Sequence, residues 1–475
     1  MSVRKEEDFS EWFTQVITKA DLVDVRYGVQ GFVVHRPWAM KIIRQIYRMF
    51  EEELERTGHE PVLFPLVIPE EYLEKEKEHV EGFKPEVFWV TEAGGERLER
   101  RLALRPTSET AFYSMYALWI QSWRDLPLKL YQSVAVYRYE KATRPFIRGR
   151  EFLWIEAHCA FATKEEVLRQ IREDMENTRR VVWERLGIPF LFLRRPQWDK
   201  FAGAEDTYAA DTIMPDGRVL QISSTHDLGQ RFAKAFGITY MREDGSRDYV
   251  WQTCYGPGIW RIMAALIAIH GDDKGLVLPF EVAPIQVVII PIYYGEEREA
   301  VLGKCRRVEE GVRGAGYRVL LDLRDRTPGW KFNDWELRGV PVRIEIGRRE
   351  VEEGFVTLFR RDLRTRVRVR DSELLAALRQ LEVDILETLK KRAKEYFESR
   401  IVEARSREEV VRAVREGKVV RMPFCGREEC AEDMRANAEG LRVRGTEVDA
   451  AEGDCGSCAW CGAPARFMVY AARAY

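Results

Sequence analysis

The sequence of 475 residues has no long hydrophobic run and carries almost no net charge. Its apolar segments, such as 263–269, are far too short to cross a bilayer, and the polar N-terminus lacks the apolar core of a signal peptide. With 76 basic and 78 acidic residues, the formal net charge is only -2, so a nucleic-acid partner would have to be held by local patches. These absences predict a cytoplasmic protein without a membrane-spanning segment.

Cysteine is also scarce, and five of the eight cysteines fall within the last 51 residues. Cys425 and Cys430 form one pair and Cys458 and Cys461 form another, a spacing typical of a tetrahedral structural zinc site. Cys455 is equally well spaced from Cys458 and is an alternative ligand. The other interpretations are reduced thiols or a disulfide, and cytoplasmic redox conditions disfavour the disulfide.

The length of the chain predicts roughly three domains. Up to about residue 280, helices and strand candidates alternate: a helix over 40–54, a strand over 61–65, a helix from the Thr163 capping box to about 187, and a strand over 188–193. The next segment has the pattern β-α-β-α-β within about 60 residues, which predicts an α/β domain. A long helix over 372–400 and a helix capped by Ser406 follow. We expect domains at 1–280, 281–385 and 386–475, the last a small α+β zinc-binding domain.

Three charged residues suggest the chemistry of the first domain. Arg138 and Glu140 follow the apolar run 133–137, so on a strand both would point to one face. A guanidinium grips phosphate or carboxylate through two parallel hydrogen bonds, and Arg261, at the start of an apolar helix, offers a second fixed cation. Such fixed cations suit the attack of an amino-acid carboxylate on the α-phosphorus of ATP, because they neutralise the negative charge that grows there in the transition state. The alternative for an isolated Arg-x-Glu pair is an exposed ion pair.

These residues resemble the signature motifs of class II aminoacyl-tRNA synthetases. The second motif is matched by Arg138-x-Glu140, by the loop 141–150 with Arg144, Arg148 and Arg150, and by the returning run 152–158. Arg261 resembles the arginine of the third motif, and Pro65 the proline of the first, which in that family belongs to the dimer interface. The resemblance implies an α+β catalytic domain on an antiparallel sheet, Mg²⁺ bridging the phosphates of ATP, and a homodimer.

A finer resemblance, to the prolyl-tRNA synthetase family of the archaeal and eukaryotic-like type, runs through essentially the whole chain. Six segments carry it in order: Arg-Pro-Thr-Ser-Glu-Thr at 105–110, Thr-Arg-Pro-Phe-Ile-Arg at 143–148, Glu-Phe-Leu-Trp at 151–154, Lys-Phe-Ala-Gly at 200–203, His-Gly-Asp-Asp-Lys-Gly at 270–275 and Thr-Pro-Gly-Trp-Lys-Phe at 327–332. It implies activation of L-proline with ATP to prolyl-adenylate and transfer to the 3′-terminal adenosine of tRNA(Pro). The alternative is a non-catalytic paralogue that binds tRNA or protein.

The resemblance also implies roles for individual residues. The proline site would comprise Thr107, Glu109, Arg138, Trp154, Glu156, His158, Phe201 and His226. The ATP site would comprise Arg138, Glu140, Arg150, Gln221, Ser224 and Arg261, of which Arg138 and Arg261 are the catalytic cations. A carboxylate and a hydroxyl suit the two-donor ammonium of proline. The alternatives are a helix N-cap for Thr107 and plain core packing for the aromatic residues.

The sequence departs from the family pattern at Thr225 and Arg231, and in the third motif at Pro257 and Ile259. Nucleotide contacts from that turn would therefore come from its backbone and from Arg261.

The remaining expectations concern tRNA, metal and editing. The resemblance places Lys331, Glu336 and Arg343 near the anticodon, although a helix containing the first two is equally consistent with a solvated face. The family pattern and the glycine after Cys461 favour Cys458 and Cys461 over Cys455 as ligands of a structural zinc. Some members carry a large editing insertion between the second and third motifs, but only 122 residues separate Arg138 from Arg261, so we expect no editing in cis.

Overall fold

The computed structural model describes residues 1–79 and 86–475. In that part of the chain there are thirteen α-helices, none long and apolar enough to cross a membrane: α1 Phe9–Lys19, α2 Pro37–Arg56, α3 Glu70–His79, α4 Glu109–Trp119, α5 Lys164–Thr178, α6 Arg231–Phe236, α7 Ile259–His270, α8 Arg298–Gly314, α9 Pro328–Leu337, α10 Arg348–Glu353, α11 Leu374–Ser399, α12 Arg407–Arg415 and α13 Glu428–Asn437. Short 3₁₀ turns lie at Trp123–Asp125, Gly295–Glu297 and Asp371–Glu373.

The same residues form 23 strands: β1 Val23–Asp24, β2 Val34–His35, β3 Glu60–Pro61, β4 Val67–Pro69, β5 Trp89–Ala93, β6 Glu96–Leu104, β7 Leu128–Tyr137, β8 Glu151–Phe161, β9 Leu191–Arg194, β10 Asp206–Ile213, β11 Val219–Gly229, β12 Thr239–Met241, β13 Arg247–Tyr249, β14 Trp251–Pro257, β15 Val287–Pro291, β16 Val319–Leu321, β17 Val342–Ile346, β18 Phe355–Arg360, β19 Thr365–Arg370, β20 Ile401–Glu403, β21 Val419–Phe424, β22 Arg442–Glu447 and β23 Phe467–Ala472.

A large sheet dominates the structure, with strand order β20-β21-β23-β22-β9-β10-β11-β14-β8-β7-β3. Its central strands from β9 to β7 are antiparallel throughout, as the sequence predicts for the first domain. Helix α7 packs on β8 and β11, and nearly all of its side chains are buried. The apolar side chains of α1, α2, α7 and the sheet form the main core.

The predicted β-α-β-α-β segment forms a separate mixed sheet in the order β16-β15-β17-β18-β19. Strands β15, β16 and β17 are parallel, and β18 and β19 are antiparallel additions. The long helix α11 runs across the boundary expected at 385/386. Leu378 and Ile385 pack in the core of this mixed sheet, whereas Phe397 packs near Leu193 and Val219 of the large sheet. One continuous helix therefore connects the second and third domains.

Strand β22 joins the C-terminal strands to the large sheet, because Thr446 pairs with Arg194 of β9. Gly445, beside a bulge in β22, has φ 128°, and a Cβ atom there would lie 2.0 Å from the Arg194 carbonyl oxygen. Glycine thus allows the two backbones to approach.

Four predicted elements differ from the structure. The strand expected over 188–193 begins only at Leu191, as β9. The strand expected over 61–65 shrinks to β3, since the prolines in that run lack an N–H for a strand ladder. The Thr163 capping box is confirmed, but its α-helix ends at Thr178 and continues as a π-helix, Arg179–Arg185. Strand β7 ends at Tyr137, so Arg138 and Glu140 lie just beyond it.

Candidate active site

A cavity of about 300 Å³ opens over the large sheet between the β7–β8 hairpin, β11 and the start of α7. Most of the residues predicted to bind proline or ATP line this cavity: Thr107, Glu109, Arg138, Glu140, Trp154, Glu156, Phe201, Gln221, Ser224, His226 and Arg261. Arg150 and His158 are the two predicted residues that do not line it. Residues far apart in sequence thus converge on one site.

Arginine side chains form the cationic wall of the cavity. Arg138 Nε donates to the Pro106 carbonyl oxygen (2.9 Å), and its guanidinium lies 5.2 Å from the Trp154 ring centre. Arg261 Nε donates to the Ile147 carbonyl oxygen (3.1 Å). Burial, together with Arg148 and Arg138, lowers the pKa of Arg261 to about 10. A buried cation whose nearest charged neighbours include two other cations is poised to receive an anion.

Glu109 forms the acidic wall at the start of α4. Thr107 Oγ1 donates to one oxygen of Glu109 (2.5 Å), and the Cys254 thiol donates to the other (3.2 Å). The N-cap alternative for Thr107 is not what the structure shows, because Ser108 occupies the N-cap position of α4. The carboxylate is therefore held from both sides by neutral donors.

Glu156 is a second buried carboxylate on β8. It accepts from the backbone N–H of Ser108 (3.1 Å), the Ser108 hydroxyl (2.5 Å) and the Gln132 amide (2.9 Å), and it lies 3.1 Å from His158 Nε2. Burial alone would raise its pKa, but His158, Ser108 and Gln132 hold that pKa below its usual range. His158 itself is buried, contacts Glu156 and does not line the cavity.

On β11, His226 and Ser224 face the cavity together. His226 Nε2 lies 3.1 Å from Ser224 Oγ, and its ring centre lies 4.8 Å from that of Phe201. Burial lowers the pKa of His226 to about 3, so the imidazole is neutral at neutral pH. Thr225 departs from the family pattern but points away from the cavity and donates to Asp174 (2.8 Å).

Further residues line the cavity that were not predicted to bind proline or ATP, and those with charged or thiol side chains include Arg148, Arg195, Lys200 and Cys254. Arg148 Nη1 donates to Glu140 (3.0 Å), whereas Arg150 turns outward and stacks on the Tyr139 ring at 4.3 Å. The tight turn in which Arg144 pairs with Arg148 decides which arginine faces inward. The signal in the sequence was only that several arginines occupy one loop.

The sulfur atoms of Cys425, Cys430, Cys458 and Cys461 all lie within 4.8 Å of one another. Two of the separations are 3.8 and 4.0 Å, close to the edge of about 3.8 Å expected for a tetrahedron with Zn–S bonds of about 2.3 Å. Cys455 is outside this group. The donor set fits zinc, and it contains Cys458 and Cys461 but not Cys455.

A second group, Glu109, His158 and Cys254, is also close enough to hold an ion. Both ring nitrogens of His158 already have partners, Tyr113 Oη at 3.3 Å and Glu156 at 3.1 Å. This group therefore does not offer a complete ligand set.

The residues expected near the anticodon lie in the mixed-sheet domain, where each has a partner within the protein. Arg343 Nη1 donates to Glu336 (3.2 Å), and its guanidinium lies 3.9 Å from the Phe332 ring centre. Lys331 Nζ donates to the Asp322 carbonyl oxygen (2.9 Å). All three are largely buried, which rules out the solvated-face alternative for this conformation.

Comparisons with known proteins agree with this fold. The pattern of the class II tRNA synthetase core domain (G, H, P, S and T) matches residues 88–270, that of the anticodon binding domain 286–381, and that of the prolyl-tRNA synthetase C-terminal domain 407–475. The protein is a class II aminoacyl-tRNA synthetase.

Full-length relatives define the family. A proline–tRNA ligase of Thermofilum pendens is 75% identical, covering 100% of this chain and 99% of the relative, and that of Pyrococcus abyssi is 48% identical, covering 99% of each. A solved structure, Giardia lamblia prolyl-tRNA synthetase in complex with prolyl-adenylate, is 35% identical with a TM-score of 0.95 and covers 100% of this chain and 99% of that one. The chain belongs to the prolyl-tRNA synthetase family.

Proposed function

We propose that this cavity activates L-proline with ATP and then transfers the prolyl group to tRNA(Pro). The observation that carries the proposal is that two sets of side chains line one cavity, Glu109 with Thr107 and Arg138 with Arg148 and Arg261. The first suits an ammonium, and the second suits phosphates and a carboxylate.

Proline would be held by its charges and by its ring. The secondary ammonium has two N–H donors, which Glu109 and the Thr107 oxygen would accept, and Arg138 would hold the carboxylate. Trp154, Phe201 and the neutral His226 would surround the ring. Glu156 would form part of the wall of this pocket, and His158 would support Glu156 from behind.

ATP would lie along the arginine wall. Arg148 and Arg261 would bind its phosphates, while Glu140, Gln221 and Ser224 would contact the nucleoside. Arg150 would hold the loop through the Glu140 carbonyl oxygen, to which its Nε donates (2.9 Å). Mg²⁺ would be bound mainly through the phosphates of ATP rather than by a protein cage, and it would supply charge neutralisation there.

The reaction needs no nucleophilic side chain. A carboxylate oxygen of proline attacks the α-phosphorus, the bond to the bridging oxygen breaks, and pyrophosphate leaves. A terminal ribose hydroxyl of the tRNA then attacks the prolyl carbonyl carbon, and AMP leaves. Positioning and the fixed positive charge lower the barrier to both steps.

The assembly belongs to the same proposal. Leu63 and Leu66, which flank Pro65, are 80% and 41% exposed, an apolar surface that a second copy would cover in a homodimer. The cysteine cluster would hold a structural zinc, and the reduced cysteines fit a cytoplasmic enzyme. We also propose the domain limits 1–280, 281–385 and 386–475, with tRNA contacts in the second domain and no editing in cis.

Charging tests the function directly. Purified protein incubated with ATP, Mg²⁺, labelled proline and tRNA(Pro) is expected to form an alkali-labile prolyl ester on the tRNA. A protein that binds tRNA(Pro) without forming this ester would be the non-catalytic paralogue instead.

A further inference from the structure

A buried ion cluster lies where the C-terminal domain meets the large sheet. Arg195 and Asp211 form a bidentate pair with distances of 2.7 and 2.9 Å. Arg444 of β22 approaches the same carboxylate from the other side, through Nε at 2.8 Å and Nη2 at 3.1 Å. The three side chains are only 1%, 2% and 8% exposed. Burial would raise the pKa of Asp211, but the two arginines hold it below its usual range.

This cluster reaches the cavity through Arg195. Arg195 Nη2 donates to the side-chain oxygen of Gln221 (2.9 Å), and Arg195 Nη1 donates to the backbone oxygen of Arg444 (2.7 Å). Gln221 also accepts from Arg261 through its backbone oxygen (3.1 Å). Gln221 is thus fixed twice, by Arg261 of the third motif and by an arginine that depends on the C-terminal domain.

Residue 444 holds Arg195 through its backbone as well as through its side chain. Gly445 brings β22 so close to the Arg194 carbonyl that the Arg444 carbonyl lies against the Arg195 guanidinium. Asp199, which lines the cavity, lies 4.0 Å from Arg444 and is the other carboxylate facing it. Nη1 of Arg195 therefore contacts the C-terminal domain directly, and both Nη atoms bind Asp211, the carboxylate that Arg444 also binds.

We propose that Arg444 is a positioning residue by which the C-terminal domain holds Arg195 and Gln221 in the geometry that binds ATP. The inference rests on the proposed function, because it assigns Gln221 to the nucleotide. It gives the C-terminal domain a part in amino-acid activation in addition to its cysteine cluster.

The test compares Arg444→Met with the full-length wild type in proline-dependent exchange of pyrophosphate into ATP. Methionine keeps the side-chain volume but removes the charged fork. The KM for ATP is expected to rise roughly 5- to 20-fold, within the range of effects transmitted through such networks, while the KM for proline stays within about twofold. Arg444→Lys, which keeps the charge without the fork, is expected to give an intermediate value.

Asp449→Ala is the matched control. It breaks an exposed contact between the same two domains, Arg172 to Asp449 at 2.8 Å, which does not reach the cavity. Its KM values are expected to equal those of the wild type. Thermal unfolding checks folding, and the lysine variant carries the test if the methionine variant does not fold.

The proposal is overturned if folded Arg444 variants keep the wild-type KM for ATP, or if the KM values for ATP and proline rise by the same factor. Absence of exchange in the wild type would instead refute the proposed function itself.

Discussion

At the scale of single residues, the acidic wall depends on a thiol that the sequence analysis did not select. Cys254 donates to Glu109 in a buried setting, so removing the thiol leaves one carboxylate oxygen without this partner. Cys254→Ala is expected to raise the KM for proline roughly fivefold, the effect of a typical hydrogen bond, with little change in the KM for ATP. Cys254→Ser keeps a donor and is expected to stay near the wild type. Equal effects of the two substitutions in steady-state kinetics would contradict this role.

Arg148 and Arg150 form a natural matched pair in one loop. Arg148 lines the cavity and Arg150 does not. Only Arg148→Ala is therefore expected to remove a cation that stabilises the negative charge growing on the phosphates in the transition state. Its kcat/KM for ATP is expected to fall roughly 100-fold, as for the loss of a donor to a transition-state anion. Arg150→Ala is expected to have a clearly smaller effect. If Arg150→Ala had the larger effect in pyrophosphate exchange, Arg150 rather than Arg148 would be the residue that binds the nucleotide.

Asp174 on α5, a buried carboxyl group that contacts Thr225 of β11, makes the stability of the fold depend on pH. Burial raises its pKa to about 7, so the folded protein keeps a proton that the unfolded chain has already lost above pH 4. The native state binds more protons between about pH 4 and 7, and this group therefore lowers stability as pH rises through that window. Relative to Asp174→Asn, the wild type is expected to lose stability at up to about 1.4 kcal/mol per pH unit. If denaturant unfolding showed that the stabilities of the wild type and the variant change with pH in parallel, the raised pKa of Asp174 would be contradicted.

At the scale of elements, the cysteine cluster offers a test with an internal control. Cys458 belongs to the cluster and Cys455 does not, although the spacing in the sequence allows either. Cys458→Ser is expected to lose bound zinc and to unfold at a lower temperature, because a structural site contributes directly to stability. Cys455→Ser is expected to keep about one zinc per chain by elemental analysis. Loss of zinc from both variants would show that Cys455 is a ligand.

Elements with local signals could be predicted from the sequence. The caps at Thr163 and Ser406 are confirmed, because each hydroxyl accepts from the backbone three residues later. The end of β7 before Arg138 could not be predicted, because the hairpin leaves strand geometry where the loop turns into the cavity. The inward orientation of the Arg148 side chain could not be predicted for the same reason, since a turn sets it and strand alternation does not.

At the scale of the whole molecule, the antiparallel first sheet and the mixed second sheet follow from the sequence and its family resemblance. The continuation of the first sheet into the C-terminal domain does not. It depends on Thr446 pairing with Arg194, across about 250 residues and through a strand of four residues, and neither segment has a periodic pattern that specifies its partner. The contacts that connect Arg444 to the cavity could not be predicted from the sequence for the same reason.

The activation of proline in this cavity can be measured without tRNA, as proline-dependent exchange of pyrophosphate into ATP. Proline is expected to support strong exchange. Alanine and cysteine are expected to support weak exchange, because rejecting a smaller apolar ligand yields only about 1 to 3 kcal/mol per methylene. Threonine is expected to support none. Exchange that is absent with proline, or stronger with another of these amino acids, would contradict the account.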